Sequence, residues 1–522
     1  MITKDDWLQF FPYKEVRKQQ EDSINFILNN FQNKKYIILE LPTGVGKSAI
    51  AITVARYFDS DIEKSCWIVT PQRVLQKQYQ NDFQWLPTIW SKDHYECPGK
   101  GGIMCSMGTL INGVYKEEPK YCDCIYKQDK RTFLGSSISL TNIAFFLNHV
   151  EYSEEIKNRK ILIVDEAHNL ESIISDFVSV TLNKHTIENY GIRWVGDKQI
   201  EDVIKWINGT LLVHLERIRE DLKTKIKLFN EDEILNGGQA LKKFERIDRL
   251  VGQLNRCVSR FVVDEWVMSV NKEGDEIVLR PIFASKYTYN QLLCKGDKIL
   301  LMSGTILNKD VFCKNVGIPL DDTEFLSLGS PFKKENRTVI ATNVCSLSYK
   351  NIDRNLPRIA EVIYKLINSQ HKNEKGIIHC NSYKIANYIT KKVRHKNRFI
   401  VHDSTNRIEM YELHLGTTHP TILVSPSMTE GIDLYDDLSR FQIIVKTPFP
   451  YLGDNYITTK MARIPGWYEL ETAKTIIQAS GRSVRNSDDY CMTYILDSDF
   501  TFFYKKNLNL FPQWYKDALM FL

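Results

Sequence analysis

Tyr36-Ile37-Ile38-Leu39-Glu40-Leu41-Pro42-Thr43-Gly44-Val45-Gly46-Lys47-Ser48 decides the fold. The run Tyr36–Leu39 reads as a buried strand. It enters a glycine loop, and Ser48-Ala49-Ile50-Ala51-Ile52 continues as a helix. Strand, loop and helix in that order form a phosphate cradle, because backbone N–H groups at a helix start wrap an anion. Gly44 and Gly46 let the chain turn, with Pro42, Thr43 and Val45 completing the loop. Lys47 is placed to reach the β- and γ-phosphates of a nucleotide, and the Ser48 hydroxyl to bind magnesium. The strict loop pattern has a glycine where this chain has Leu41, so the flanking strand and helix carry the assignment.

Two further segments handle phosphate. Asp165-Glu166-Ala167-His168 follows the apolar run Ile161–Val164. Asp165 therefore sits at the carboxyl end of a strand, where open sheets bind ligands. Its carboxylate is expected to hold magnesium, and Glu166 to orient an attacking water. A helix cap with Asn169 as partner is the plainer alternative, and the apolar run argues against it. Near the end comes Gln478-Ala479-Ser480-Gly481-Arg482-Ser483-Val484-Arg485. Arg482 and Arg485 fall on one face of a helix, and guanidinium groups suit bidentate phosphate contact. Surface salt bridges are the common fate of such a pair, but Gln478 and Gly481 favour the phosphate role. The three segments predict a nucleotide hydrolase with its site split between two domains.

The rest of the chain fits that plan. Cys66–Val69, Ile299–Met302, Gly376–His379, Thr421–Val424 and Phe441–Val445 are short apolar runs between helical stretches. Such alternation means parallel sheets, and 522 residues exceed what one core holds. Two α/β lobes are expected. Ile200, Ile204, Ile207, Leu211, Leu215, Ile218, Leu222 and Ile226 recur at helical spacing, as do Leu241, Phe244, Ile247, Val251, Leu254 and Val258. That stretch reads as a packed helical insertion. No apolar run reaches the ~18 residues of a membrane span, and Met1–Trp7 holds no apolar signal core. An intracellular protein without a membrane partner is expected, in cytoplasm or nucleoid, of cellular or viral origin.

A net charge of +5 permits nucleic-acid binding without demanding it. Of eleven cysteines, seven are scattered and read as small apolar residues; Cys97, Cys105, Cys122 and Cys124 are clustered. Four thiolates suffice for one iron–sulfur cluster or one zinc, and His94 could replace one. Phe83, Trp85, Trp90, Tyr95 and Tyr121 surround them among Lys92, Lys100, Lys116 and Lys120. Aromatics among lysines suit base stacking along a strand; packing of a small domain is an equal alternative.

At these residues the chain resembles superfamily 2 DNA helicases of the XPD/DinG-like group, nearly end to end. Phe11-Pro12-Tyr13 with Arg17 and Gln20 is similar to the group's nucleotide-side motif, and Glu40–Ser48 to motif I. Thr70-Pro71-Gln72 with Leu75 and Gln78 is similar to motif Ia, Asp165–Leu170 to motif II, and Ser303-Gly304-Thr305 to motif III. Glu430-Gly431-Ile432-Asp433 is similar to motif V, Lys446–Pro450 to the segment after it, and Gln478, Gly481, Arg482 and Arg485 to motif VI.

The resemblance implies two RecA-like lobes with ATP and Mg2+ in the cleft. Arg17, Gln20, Gly431 and Asp433 join the nucleotide contacts, and Ser303, Thr305 and Asp433 couple nucleotide to DNA. It implies 5′→3′ movement on single-stranded DNA, unwinding of forked DNA by a monomer, and a place in repair or replication. It puts a 4Fe–4S insertion before motif II, with zinc as runner-up, and a helical arch after it. The layout is then lobe 1 at 1–89, 132–170 and 271–312; a cysteine insertion at 90–131; an arch-like insertion at 171–270; and lobe 2 at 313–522. Ala479, Val484 and Ser303-Gly304-Thr305 depart from a DEAH-type RNA helicase. An ATP-driven DNA translocase or remodeller that does not unwind stays open.

Overall fold

The computed structural model describes residues 2–59, 65–97, 104–106, 124–196, 198–228, 238–393, 396–403, 405–426, 434–481, 483, 484, 486 and 488–522. The first strands are β1 (Tyr36–Glu40), β2 (Cys66–Thr70), β3 (Ile138–Asn142) and β4 (Arg159–Val164). An inserted set follows, β5 (Val180–Asn183), β6 (Trp266–Val270) and β7 (Glu276–Pro281), and then β8 (Gly296–Ser303) and β9 (Thr323–Ser327). The first lobe is a parallel sheet of order β3-β2-β4-β8-β1-β9.

The strands β1, β2 and β4 are apolar at most positions because helices cover both faces. Successive residues serve opposite cores. Ile37, Leu39, Ile68, Ile163 and Leu300 pack on one face with Ile50 and Val54. Tyr36, Ile38, Trp67, Leu162 and Leu301 pack on the other with Phe133 and Phe146. The alternation is the period of two that a pleated strand imposes.

The register aligns the functional segments. Glu40 of β1 pairs with Ser303 of β8, and Val164 of β4 pairs with Leu301. Since β4, β8 and β1 are neighbours, the residues after each emerge side by side at one sheet edge.

The second lobe is a parallel sheet made of β10 (Val339–Cys345), β11 (Gly376–His379), β12 (Phe399–Val401), β13 (Ile422–Ser425), β14 (Phe441–Ile444), β15 (Met492–Asp497) and β16 (Leu519–Phe521). Its order is β12-β13-β11-β14-β15-β10-β16. Both expected α/β lobes are present.

Between motif II and β8 lie the expected helices. Ile200–Trp206 runs through a π-turn at Ile207–Leu211 into Leu212–Ile226, and Gly238–Arg260 packs beside it. Val203, Ile207, Leu211 and Leu215 meet Ile247, Val251 and Leu254 in one core. The helical periodicity leaves out an antiparallel sheet of order β5-β7-β6 that shares this core. Its strands are only four to six residues long, too short to stand out against long amphipathic helices. Among the described residues no helix is long and apolar enough to cross a membrane.

Candidate nucleotide site between the lobes

The glycine loop starts where Leu41 N–H donates to Ser303 O at 2.7 Å. Gly44 and Gly46 have φ of +88° and +86°, a region side chains rarely enter. They are also approached closely. A Cβ on Gly44 would lie 2.1 Å from Cζ of Phe332, and one on Gly46 2.5 Å from Nε2 of Gln20. Arg17 Nη1 donates to Gly44 O at 2.6 Å, and Gln20 Nε2 to Val45 O at 3.0 Å. Gln20 is itself held by Arg17 N–H, which donates to its Oε1 at 2.9 Å. Both residues thus hold the backbone of the loop from outside. Lys47 and Ser48 begin helix Lys47–Asp59.

Lys47 reaches the acidic turn, its Nζ 3.3 Å from Glu166 Oε1. Asp165 is buried against β2, its N–H donating to Val69 O at 2.9 Å. Tyr79 O–H donates to Asp165 Oδ2 at 3.2 Å, and Glu166 N–H to Oδ1 at 2.9 Å. Burial pushes the Asp165 carboxyl up, and the neighbouring Glu166 charge adds to this, while Lys47 opposes it. Glu166 has φ of +47°. A non-glycine residue held in the left-handed region marks local strain of the kind that collects at functional turns.

His168 joins the lobes. Its Nδ1 lies 2.8 Å from Ser303 Oγ and 3.2 Å from Glu166 Oε2. Its Nε2 lies 2.6 Å from the amide nitrogen of Gln478, which also donates to Thr305 Oγ1 at 3.1 Å. An amide nitrogen can only donate, so Nε2 accepts and Nδ1 carries the proton toward Ser303 and Glu166. Gln478 lies in the last turn of helix Trp467–Ser480 of the second lobe. Motifs II, III and VI therefore meet at one imidazole. The Glu40 carboxylate adds a tie to the inter-lobe connection. It accepts from Ser327 Oγ at 2.8 Å and from Leu307 N–H, and burial pushes it up.

Sequence reasoning named Lys47, Ser48, Asp165, Glu166, Gln478, Arg17 and Gln20, and the fold gathers them at one cleft. Arg482, Arg485, Gly431 and Asp433 lie outside the described residues, as does Cys122. Tyr79 and Phe332 escaped notice. Tyr79 had a signal, a tyrosine within the polar helix Arg73–Asp82.

Of the clustered cysteines, Cys97 is half-buried, whereas Cys105 and Cys124 are buried in the lobe-1 core with Tyr95 and Tyr126. Glu96 and Met104 form an antiparallel bridge, and Cys105 N–H donates to Tyr95 O at 2.7 Å. Burial raises the Tyr126 hydroxyl, with Cys105 and Cys124 among the further causes. That hydroxyl is buried with no hydrogen-bond partner among the described residues. Among those residues no group of three or more ligating side chains is gathered. The stacking role fails for Phe83 and Tyr95, whose rings are buried in cores. Trp85 is 44% exposed, with Arg56 over its ring at 4.4 Å.

Residues 13–191 match the family model described as type III restriction enzyme, res subunit, and residues 365–518 match the helicase C-terminal domain. The chain is 23% identical to a probable ATP-dependent helicase of Methanocaldococcus jannaschii, across 94% of this chain and 92% of that one. It is 20% identical to the ATP-dependent DNA helicase XPD of Sulfolobus acidocaldarius, across 95% and 98%. It is 26% identical to the ATP-dependent DNA helicase DinG of Photobacterium profundum, across 50% and 40%. A solved XPD helicase shares the fold with a TM-score of 0.67 at 16% identity, covering 98% of this chain and all of the other. Sequence and fold agree along nearly the whole length: the chain carries a helicase C-terminal domain and is similar end to end to ATP-dependent helicases of the XPD/DinG-like group.

Proposed function

We propose that the chain moves 5′→3′ along single-stranded DNA and unwinds duplex ahead of it, one ATP cycle at a time. The observation that carries this reading is the imidazole of His168, 2.6 Å from Gln478 of the second lobe and 2.8 Å from Ser303 of the first. Through His168, which lies 3.2 Å from Glu166, the Asp165–Glu166 turn is connected to a contact between lobes. Cleft closure and opening follow as a hinge motion driven by different contacts in the two nucleotide states.

In this reading Lys47 and the loop N–H groups bind the β- and γ-phosphates. Glu166 orients the attacking water, with the Lys47 ammonium beside it. Gln478 reports closure to His168, and Arg482 and Arg485 meet the γ-phosphate from the second lobe. Asp165 and Ser48 suit Mg2+, which prefers hard oxygen ligands. Asp165, raised by burial and a second carboxylate, gains most from a cation. Magnesium when bound supplies positive charge to the phosphate oxygens. Polarity rests on resemblance, as does the 4Fe–4S assignment over zinc. The thiols of Cys105 and Cys124, beside the Tyr126 hydroxyl that has no partner among the described residues, suit a soft metal group, with Cys97 and Cys122 as the other ligands. Such a group supplies structural cross-linking of the insertion.

ATP turnover measured with single-stranded DNA and with RNA tests the substrate class. DNA should stimulate turnover and RNA should not. Stimulation by RNA alone would replace this reading with an RNA helicase.

A further inference from the structure

Helix Asn455–Arg463 belongs to the second lobe but docks on the first-lobe insertion. Tyr456 and Ile457 cluster with Val267, Ile282 and Phe283. Ser269 Oγ donates to Asp454 Oδ1 at 3.2 Å, and Asn455 Nδ2 to Met268 O at 3.4 Å. In the middle of this joint lies Lys460, only 1% exposed. Its ammonium pairs with the carboxylate of Glu171 and donates to Tyr456 Oη at 3.0 Å. The second Glu171 oxygen accepts from Trp467 Nε1 at 3.4 Å, and Tyr456 Oη lies 3.2 Å from Ser175 Oγ.

Glu171 and Ser175 stand on helix Leu170–Val178, which begins directly after His168 and Asn169. The helix that holds them is therefore continuous with the acidic turn. An apolar joint can slide by a side chain and keep its burial. A buried ion pair cannot, because a small shift strands two charges away from water. Burial lowers the Lys460 ammonium, but Glu171 and Tyr456 outweigh it and the group is held charged.

We propose that Lys460 and Glu171 are positioning residues that fix helix Asn455–Arg463 to the motif II helix, so that movement of the second lobe is transmitted to Asp165, Glu166 and His168. This is a second inter-lobe link, outside the nucleotide cleft. It rests on the proposal that ATP binding and hydrolysis move the lobes.

The test compares wild type, Lys460→Met, Lys460→Met with Glu171→Gln, and Tyr456→Phe. Each is read by melting temperature, by KM and kcat for ATP with single-stranded DNA, and by energy transfer between dyes on the two lobes when ATP is added. Lys460→Met alone leaves a buried carboxylate unpaired and should lower the melting temperature. Adding Glu171→Gln removes that charge and keeps an acceptor for Trp467, so stability should largely return. The double variant should keep its ATP KM, yet lose about two- to thirty-fold in DNA-stimulated kcat, the range expected when one coupling element is removed. Its closure signal should shrink. Tyr456→Phe, which removes one hydroxyl and no bulk, should shift both in the same direction by less. A folded double or Tyr456→Phe variant with wild-type kcat and wild-type closure overturns the proposal and leaves the pair purely structural. Absence of DNA stimulation in the wild type would count against the proposed function instead, while the closure signal still decides the role of the pair.

Discussion

Lys47 and Asp165 show what single residues contribute. The Lys47 side chain is 15% exposed and meets Glu166 across 3.3 Å. Lys47→Ala removes the cation that offsets the neighbouring Asp165 and Glu166 carboxylates, so the melting temperature of nucleotide-free protein should fall at neutral pH. Turnover should fall by at least about a hundredfold, the usual cost of removing one preorganised charge-stabilising group. Unchanged steady-state ATP hydrolysis would remove the loop from the site. Asp165 is the opposite case. Its folded carboxyl is raised, by burial first and then by Glu166. The native state therefore holds a proton more tightly than the unfolded chain, and stability falls as pH rises above the unfolded carboxyl range. Asp165→Asn should thus raise the melting temperature of nucleotide-free protein at neutral pH while abolishing turnover. The gain should shrink as pH is lowered toward the unfolded carboxyl range. A lower melting temperature at neutral pH would contradict this assignment. Both residues were legible in sequence because each follows an apolar strand. Tyr79, which donates to Asp165, was not: it comes from a separate helix, and only the sheet brings the two together.

At the scale of elements, the glycine loop and the cysteine insertion carry separate expectations. Gly44 combines φ of +88° with a Phe332 ring where its Cβ would sit. Gly44→Ala should cost about 1–2 kcal/mol from the left-handed backbone alone, and it should weaken ATP binding through the displaced loop. Calorimetric titration with a non-hydrolysable ATP analogue checks this; wild-type affinity would show that the loop tolerates a side chain. For the insertion, iron and sulfide analysis of anaerobically purified protein beside a zinc assay should find one 4Fe–4S cluster. Zinc without iron would keep a metal cross-link and reject the cluster; no metal would return Cys97, Cys105, Cys122 and Cys124 to ordinary thiols. The strands and long helices were readable because each repeats its period over several residues: Ile37, Leu39 and Ile163 on one face, Val203, Ile207 and Leu211 on one helical stripe. The short antiparallel sheet was not, nor was the docking of helix Asn455–Arg463, since pairings between distant segments leave no local period.

For the whole molecule, the central claim is that hydrolysis in the cleft drives strand separation. The claim depends on the two lobes meeting at His168, where Gln478, Ser303 and Thr305 converge. Two α/β lobes could be foreseen from two sets of apolar strands, but their contact at the His168 imidazole could not, because it joins motifs far apart in the chain. The most direct measurement is strand displacement on one duplex carrying either a 5′ or a 3′ single-stranded tail, with wild type and Lys47→Ala in parallel. ATP-dependent displacement of the 5′-tailed duplex by wild type, and none by Lys47→Ala, is the expected result. Preference for the 3′ tail would contradict the direction, and hydrolysis stimulated by DNA without displacement of either duplex would contradict the claim of unwinding.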